Sequence, residues 1–492
     1  MKHFNKGRNK KKSKGKGKLK RMNEFISVNN VAGRNLVPVN WDAFQLVGVT
    51  KNCYQPPPNV TRLTVPEVMQ FREANNVSVF GVDLPPILSF KDANFDEQIS
   101  ATIEKLGYVV PTPIQAQGWP YALNGLNIVG IAETGSGKSL AFLLPAIVHV
   151  RHQHPVVPGD GPIALVMAPT RELALQIKGV ADKFTTKVTA VYGGGKREEQ
   201  IGELQQGSEM IIGTPGRILD LLQSGVTNFR RTSFLVLDEA DRMLDMGFED
   251  QIRRVLNQVR PDRQLLMWSA TWPKSVQKLA HDFLGEFSQI VVGNKNLTAN
   301  HNITQIVKVV HEFEKQEQLI GIIRSLKAAE PGPLKTLVFA NTKRLCNRIH
   351  KLLKNEQYPC GVIHGDKSQR ERNKTLQKFI DGQIEILVAS DVAARGLDVN
   401  DIKFVINFDF PPQIEDYVHR IGRTGRQQKK GTAYTLFGGK NVKHTQGFIE
   451  ILREAGQHVP PELEVLLTTK EDHTKDQSCE ERFGSRSFFS VG

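Results

Sequence analysis

The sequence is poor in cysteine and contains no long apolar run. Its 492 residues include four scattered cysteines, Cys53, Cys346, Cys360 and Cys479, whose spacing is not that of a metal site. No apolar stretch approaches the ~18 residues of a membrane span, and the N-terminus is too polar for a secretory signal. These absences predict reduced thiols in a cytosolic or nuclear protein with no membrane partner.

Acidic residues are missing from the first 22 positions, which contain eleven Lys or Arg residues. The whole chain carries a formal charge of +14, and outside this tail its charges nearly balance. Self-repulsion predicts that the basic tail, residues 1–22, is disordered. Such a tail binds nucleic acid by counterion release or acts as a nuclear import signal. A solvated tail without a dedicated partner is the alternative.

Residues 23–83 show no recognisable chemistry. A triple proline at 56–58 interrupts this flanking segment, and Thr64 followed by Glu67 predicts a capped helix start. We expect the segment to be semi-ordered.

Short apolar runs alternate with helical stretches from about residue 84 onward. They predict strands at 127–132, 163–168, 188–192, 209–213, 234–237, 265–268 and 289–292, then at 303–310, 336–339, 360–363, 384–389, 404–408 and 432–436. This alternation is typical of α/β proteins with parallel sheets and right-handed crossovers.

A polar stretch, 294–302, predicts a linker between two such domains. We place the first domain at 84–293 and the second at 303–455, followed by a C-terminal tail over 456–492. Nearly every polar motif follows a strand, and parallel sheets bind ligands at the carboxyl ends of their strands. Two facing sheets therefore predict a cleft with motifs on both walls.

Residues 132–139 have the composition of a phosphate-binding loop between a strand and a helix. Gly135 and Gly137 permit a tight turn whose N–H groups face phosphates, while Lys138 would reach the β- and γ-phosphates. The Ser139 hydroxyl would bind Mg²⁺. Because Ala132 replaces the first glycine of the general pattern, a chance turn before a helix is the alternative.

Three carboxylates within residues 238–241 follow the apolar strand 234–237. Asp238 would hold Mg²⁺ through water, and Glu239 would orient or deprotonate an attacking water. An acid-rich helix N-terminus, favoured by the helix dipole, is the alternative.

The second half contains two further motifs. Arg423 and Arg426 fall on one face of a helical turn, where they could act as arginine fingers on a γ-phosphate. A surface salt-bridge cluster is the alternative. The stretch 391–398 offers the Asp398 carboxylate for a ribose hydroxyl, unless it is merely a capped helix ending at Gly396.

Together and in this order, the motifs resemble those of DEAD-box ATP-dependent RNA helicases of superfamily 2, over roughly residues 84–455. The resemblance implies two tandem RecA-like domains and the cofactors ATP and Mg²⁺. It implies that Gln115 contacts adenine, with Phe90 or Tyr108 packed near the base. It also implies nucleotide contacts from Thr134, Gly135, Ser136, Gly137, Lys138, Ser139, Gly396 and Asp398.

The same resemblance assigns the RNA-binding and coupling residues. RNA backbone contacts would come from Thr170, Arg171, Gly194, Thr214, Gly216, Arg217, Gln369, Arg372 and Ser390. Coupling between ATP and RNA would involve Ser269, Thr271, Asp241 and His419. Ser139 and Ser390 stand where the family commonly has Thr, which keeps a hydroxyl at both positions.

The stretches 243–253 and 266–273 resemble the nuclear branch of the family, which acts in RNA processing. We therefore expect RNA-stimulated ATP hydrolysis with local duplex unwinding or ribonucleoprotein remodelling in nuclear RNA metabolism. The expected compartments are the nucleus and also the cytoplasm, the expected state is a monomer, and protein cofactors are expected partners. An ATP-gated clamp that recruits partners is the second hypothesis. A superfamily 2 DNA helicase is disfavoured by Gln115 and Asp241.

Overall fold

The structure, a computed structural model, describes residues 36–157, 159–185, 187–293, 302–330, 332–394, 399, 401–425 and 430–467. The predicted basic tail 1–22, most of the predicted linker and residues 468–492 lie outside the described residues.

The first domain is built on an eight-stranded sheet in the order β1-β8-β2-β7-β6-β3-β5-β4. All its strands pair in parallel except β1, which is antiparallel to β8. Its strands are β1 Val77–Phe80, β2 Ile128–Ile131, β3 Ala164–Met167, β4 Val188–Val191, β5 Met210–Gly213, β6 Phe234–Leu237, β7 Gln264–Ser269 and β8 Ser288–Val292. From β2 to β7 every strand residue is buried, because helices cover both faces.

Helices of this domain follow most of its strands and cover the sheet. They are Pro58–Thr61, Val65–Ala74, Glu97–Lys105, Pro113–Leu123, Lys138–Arg151, Arg171–Ala181, Arg197–Gln205, Pro215–Gln223, Ala240–Asp245, Glu249–Leu256 and Lys274–Leu284, with short 3-10 turns at Trp41–Ala43 and Lys91–Ala93.

The second domain has a parallel six-stranded sheet in the order β11-β12-β10-β13-β14-β9. Its strands are β9 Ile303–Val309, β10 Thr336–Phe339, β11 Cys360–Ile363, β12 Ile386–Ala389, β13 Phe404–Asn407 and β14 Gly431–Phe437. Its helices are Lys315–Ala329, Lys343–Asn355, Gln369–Ile380, Asp391–Ala394, Ile414–Ile421 and Thr445–Glu454, with a 3-10 turn at Gly439–His444. The predicted class, two parallel-sheet α/β domains, is confirmed.

Two segments are more ordered than the sequence suggested. The flanking segment supplies β1, and its helix Val65–Ala74 begins with the predicted Thr64–Glu67 capping box. At the other end, residues 461–467 are helical and Leu463 is buried in the second core. The expectation of a tail from residue 456 was therefore wrong for 456–467, because apolar side chains there pack onto the domain.

The sheet register brings the motifs of the first domain to one edge. Met167 of β3 lies beside Leu237 of β6, and Ile131 of β2 lies beside Ser269 of β7. The loops after these strands therefore begin at the same edge of the sheet, where the carboxyl ends of the parallel strands lie. Among the described residues, no helix is long and apolar enough to span a membrane.

Candidate active site between the two domains

The phosphate loop closes around its own lysine. The Lys138 ammonium is buried and donates to the backbone carbonyls of Ala132 at 2.6 Å and Glu133 at 2.8 Å. Gly137 has a φ of +96°, and a Cβ there would lie 2.6 Å from Gln115 Nε2. Only glycine fits this close turn. Half-buried Thr134, Ser136 and Ser139 and exposed Gly135 complete the loop.

The tetrad 238–241 lies at the turn from β6 into the helix Ala240–Asp245. Burial and the adjacent Glu239 raise the pKa of Asp238 to about 7, despite the positive charge of Lys138. Burial also raises the pKa of Glu239, but the charges of Arg242, Arg423 and His419 outweigh it and leave this pKa below its usual value. Glu239 is therefore ionised by positive groups that come from both domains.

Asp241 joins the tetrad to the strand end at β7. Its Oδ2 accepts from the Thr271 N–H at 3.0 Å and from the Thr271 hydroxyl at 2.8 Å. His419 Nε2 of the second domain lies 3.6 Å from the same oxygen. Burial raises the pKa of Asp241, but the interactions with His419 and Thr271 outweigh burial, bring this pKa below its usual value and hold the carboxylate ionised. The buried Ser269 hydroxyl makes no hydrogen bond among the described residues.

Further contacts cross the cleft and hold the two domains together. Arg372 Nη2 donates to Glu172 Oε1 at 2.9 Å. Arg242 Nη2 lies 3.6 Å from Asp416 Oδ1, with both side chains buried. A Cβ on Gly422 would lie 2.5 Å from Thr134 Oγ1, so the second domain directly abuts the phosphate loop.

The predicted adenine residues lie together beside that loop. The rings of Phe90 and Tyr108 are nearly parallel, with centroids 6.4 Å apart, and Phe90 also contacts Trp119 at 5.5 Å. Gln115 is buried, donates to the Gly137 carbonyl at 3.0 Å and accepts from the Thr112 N–H at 3.0 Å. One N–H and one lone pair of its amide remain for a base.

The arginines of the second domain have different environments. Arg423 is buried, and its Nε donates to the His419 carbonyl at 3.2 Å. Arg420 is buried and binds both oxygens of Asp391, at 2.6 and 2.7 Å. Arg426, Gly396 and Asp398, also predicted from the sequence, lie outside the described residues.

The RNA residues predicted in the first domain line the loops after β3, β4 and β5. Arg171 stacks over the Tyr192 ring at 4.5 Å and donates to the Gly194 carbonyl at 3.4 Å. Thr170 is buried and caps the helix that Arg171 begins. Thr214 is the N-cap residue of the helix Pro215–Gln223 but makes no side-chain hydrogen bond there, and Gly216, the second residue of that helix, is half-buried.

Ser390 and Gln369 belong to the second domain. Ser390 is buried at the end of β12, where its N–H donates to the Ile363 carbonyl at 3.3 Å. Gln369 begins the helix Gln369–Ile380, and its side chain is outside the described structure.

Gln200 is a site residue that the sequence did not indicate. It is 5% exposed, its amide accepts from the Tyr192 N–H at 3.2 Å, and it donates to the Tyr192 carbonyl at 3.2 Å. Its Oε1 also accepts from Arg217 Nη1 at 2.8 Å. The sequence of the helix Arg197–Gln205 does not distinguish this glutamine from its neighbours, because Gln200 binds the backbone of the loop at Tyr192, and backbone contacts leave no residue pattern.

The donor set fits a hydrated Mg²⁺. The raised pKa of Asp238 reflects a buried carboxylate that lacks sufficient positive charge. A divalent cation would supply that charge. Mg²⁺ keeps several waters and needs only one or two protein ligands beside substrate phosphates, and Asp238 with Ser139 provides such a pair at one sheet edge.

Family models match both domains. A DEAD/DEAH box helicase model matches residues 112–279, and a helicase conserved C-terminal domain model matches residues 314–428.

Curated relatives are similar over most of the chain. It is 51% identical over 441 residues to the mouse "Probable ATP-dependent RNA helicase DDX17", covering 88% of this chain and 68% of the relative. It is 50% identical over 436 residues to "ATP-dependent RNA helicase DBP2" of Chaetomium thermophilum, covering 88% and 78%. It is 50% identical over 429 residues to Drosophila melanogaster "ATP-dependent RNA helicase p62", covering 86% of this chain and 60% of that protein.

Solved structures share the two-domain architecture. Dbp5 of S. cerevisiae bound to RNA and ADP BeF3 aligns with a TM-score of 0.65 at 26% identity, covering 77% of this chain and 98% of that one. Mss116p bound to ssRNA and AMP-PNP aligns with a TM-score of 0.67 at 26% identity, covering 76% and 80%. The predicted RecA-like fold is thereby confirmed.

Proposed function

The chain belongs to the DEAD-box family of ATP-dependent RNA helicases, and we propose that it hydrolyses ATP when RNA draws its two domains together. One observation carries this proposal: His419 Nε2 of the second domain lies 3.6 Å from Asp241 Oδ2 of the tetrad, and the charges of Arg242, Arg423 and His419 lower the pKa of the adjacent Glu239. A base that depends on both domains acts only in the closed cleft.

ATP would bind to the first domain, and the second domain would complete its binding site. Lys138 would exchange its two loop carbonyls for the β- and γ-phosphates. The free N–H and lone pair of Gln115 match the exocyclic amine and ring nitrogen edge of adenine. Ser139 and Asp238 would hold Mg²⁺, which neutralises charge on the phosphates when bound.

Hydrolysis would then use groups from both walls. Glu239 orients the attacking water and accepts its proton. Arg423, with Arg426 of the same motif, stabilises the charge that develops on the transferred phosphoryl group. The γ-phosphate leaves as inorganic phosphate, which removes the charge that held Arg423 in place and allows the cleft to open.

RNA would bind along the loops after β3, β4, β5 and β12. Arg171 and Arg217 offer guanidinium groups to phosphates, and the loop at Gly194 offers backbone N–H groups. Such contacts fix the strand without reading its sequence. A strand held by both domains must follow the closed cleft, and the resulting bend disfavours a short duplex.

Strand separation tests this account. The full-length protein should separate a short RNA duplex with ATP, and Arg423→Ala should slow separation by about 10³-fold, the order expected for an arginine finger. RNA binding should persist in that variant. Arg453→Ala, at an exposed salt bridge with Glu464 in the same domain, is the matched control and should be unaffected. Equal separation by Arg423→Ala and the control would contradict the proposal.

The clamp hypothesis makes a different prediction. A clamp that recruits partners would stay on single-stranded RNA for long periods with ATP and would separate few duplexes. The dissociation rate of RNA, measured with ATP and with a non-hydrolysable analogue, distinguishes the two outputs. Unwinding predicts faster RNA dissociation with ATP than with the analogue, whereas equal rates would indicate a clamp.

We further propose a nuclear role and a monomeric state. The basic tail supports nuclear import, and both walls of the cleft come from one chain, so no second copy is needed. A fluorescent fusion of the full chain should enter the nucleus, and replacing Lys10, Lys11 and Lys12 by Ser should reduce entry. If nuclear entry is unchanged, the tail has no import role and only binds RNA or keeps the chain solvated.

A further inference from the structure

The described part of the flanking segment, residues 36–83, packs onto the turn that follows Phe90 and onto the helix that carries Gln115. The matching DEAD/DEAH box model begins only at residue 112, so the flanking segment itself lies outside it. We infer that the flanking segment positions the adenine pocket, with Tyr54 and Arg72 as its positioning residues. This inference rests on the adenine contacts in the proposed function.

Tyr54 acts on Phe90 through the 3-10 turn Lys91–Ala93. The Tyr54 ring is buried in the first core, and its hydroxyl donates to the Asp92 carbonyl at 2.8 Å. The Asp92 carboxylate accepts from Ser89 Oγ at 2.8 Å and from Asn59 Nδ2 at 3.2 Å. The turn that follows Phe90 is therefore bound, at its main chain and at its side chain, by residues 38 and 33 positions upstream.

The position of the Phe90 ring depends on that turn. Phe90 immediately precedes the turn as its N-cap residue. Its ring packs on Trp119 on one side and lies nearly parallel to Tyr108, at an interplanar angle of 23°. Stacking on a base requires a ring fixed in both distance and tilt, so loosening the turn should weaken base binding.

Arg72 acts on Gln115 through the helix Pro113–Leu123. Arg72 Nε donates to Gln117 Oε1 at 3.1 Å, and its Nη2 donates to the Leu84 carbonyl at 3.0 Å. Gln117 is fully buried and donates to the same carbonyl at 2.8 Å. These three bonds join Arg72, Gln117 and the Leu84 carbonyl. They restrict rotation of the helix about its axis at Gln117, two residues beyond Gln115.

Two further bonds, both made by the Tyr121 hydroxyl, fix the same helix one turn later. The Tyr121 hydroxyl donates to the Val82 carbonyl at 2.8 Å and accepts from the Leu84 N–H at 3.1 Å. The Tyr54 and Arg72 bonds thus end at the two elements that carry the base contacts, and not at the phosphate loop. Because Gln115 also donates to the Gly137 carbonyl of the phosphate loop, the path from Tyr54 to Phe90 is the one that should affect recognition of the base and leave recognition of the phosphates unchanged.

Equilibrium binding of ADP and of inorganic tripolyphosphate to the full chain separates these two parts. Tyr54→Phe keeps the buried ring and removes one hydrogen bond, which should raise the Kd of ADP about fivefold. The Kd of tripolyphosphate should not change. Arg72→Met, which keeps the stem and removes the guanidinium fork, should act in the same direction. Tyr358→Phe, a half-buried tyrosine of the second domain, is the matched control.

A double-variant cycle tests whether the effect passes through Phe90. In a Phe90→Ala background, Tyr54→Phe should produce no further loss of ADP affinity, because the ring that it positions is gone. Asn59→Ala removes an exposed bond to the same turn and should raise the Kd about twofold. This variant gives the test a second measurement if Tyr54→Phe lowers the yield of folded protein.

Three outcomes would overturn the inference. One is unchanged ADP affinity in both Tyr54→Phe and Asn59→Ala, and another is an equal loss of ADP and tripolyphosphate affinity, as general destabilisation would produce. Independent, additive effects of Tyr54→Phe and Phe90→Ala are the third. If Phe90→Ala alone binds ADP like the wild type, the adenine assignment in the proposed function fails as well, so the two failures are distinguishable.

Discussion

Glu239 has an unusual backbone conformation for its residue type. Its φ of +51° lies in the left-handed region, at the turn between β6 and the helix Ala240–Asp245. A non-glycine residue there is strained, and such strain is concentrated at functional sites. The turn places Glu239 between the charges of both domains, which is the arrangement that a gated base requires.

Replacing this base should separate chemistry from binding. Glu239→Gln removes the proton acceptor and should lower RNA-stimulated turnover by about 10²–10⁴-fold. ATP-dependent RNA binding, measured by fluorescence anisotropy, should persist. Glu203→Gln, at an exposed position, is the control. Full turnover in Glu239→Gln would sink the assignment of the base.

His149 should make the stability of the protein depend on pH. Its Nε2 lies 2.8 Å from the Ser233 hydroxyl. Burial, together with the charges of His152, Lys51 and Arg260, lowers its pKa to about 3. The unfolded chain binds a proton at this histidine more readily than the native state does. The contribution of neutral His149 to stability is therefore fully present above about pH 6.5 and is lost as the pH falls from there towards 3.

Denaturant unfolding measures this effect directly. Between pH 7.5 and 5.5 the free energy of unfolding should fall by about 1.4 kcal/mol through His149 alone. His149→Gln should lack this decrement, while His152→Gln, at an exposed neighbour, should retain it. An equal decrement in wild type and His149→Gln would contradict the account.

At the residue scale, the sequence could indicate which residues perform chemistry, but it could not indicate which groups each side chain contacts. Lys138, Asp238 and Glu239 were recognisable because their residue types and spacing follow from phosphate chemistry. Gln200 was not, since its amide binds the backbone of Tyr192 eight positions earlier. Arg420 and Arg423 share one motif, yet only the structure distinguishes the first as part of a salt bridge with Asp391.

At the scale of elements, burial explains which strands were predictable. Strands buried on both faces, such as β6, are continuous apolar runs, and all the predicted strands are present. The exception is β1, which the sequence did not reveal. It alternates buried and exposed residues, has four residues, and gains its place by antiparallel pairing with β8 more than 200 positions later.

The helix Arg197–Gln205 should influence RNA binding through Gln200. Gln200→Ala removes the amide that binds the Tyr192 backbone and Arg217 Nη1, so the loop at Gly194 should loosen. We expect RNA affinity to fall about fivefold, with ATP hydrolysis in the absence of RNA unchanged. Gln205→Ala, exposed on the same helix, is the control. Equal RNA affinity in the two variants would exclude this role.

At the scale of the whole molecule, the cleft joins residues that no local pattern connects. Arg372 and Glu172 are 200 positions apart, and Arg242 meets Asp416 with both groups buried. Motif order implies two facing walls, but the pairs that join them depend on how the sheets are placed. The sequence therefore predicted a cleft and left its bridging contacts unknown.

A charge exchange tests whether the Arg372–Glu172 bridge stabilises closure. Arg372→Glu should raise the RNA concentration needed for half-maximal ATPase stimulation about tenfold, because like charges then face each other. Adding Glu172→Arg should restore part of the loss. Rescue would separate bridging from direct RNA contact, since a glutamate at 372 does not attract phosphate. No rescue would assign Arg372 to RNA alone.

The central claim is that RNA completes a catalytic site shared by the two domains. The most direct measurement is the rate of ATP hydrolysis by the full chain, with and without saturating single-stranded RNA. We expect a rate at least about tenfold higher with RNA, because closure of the cleft brings the charges of His419 and Arg423 to Glu239. The same rate with and without RNA would contradict it.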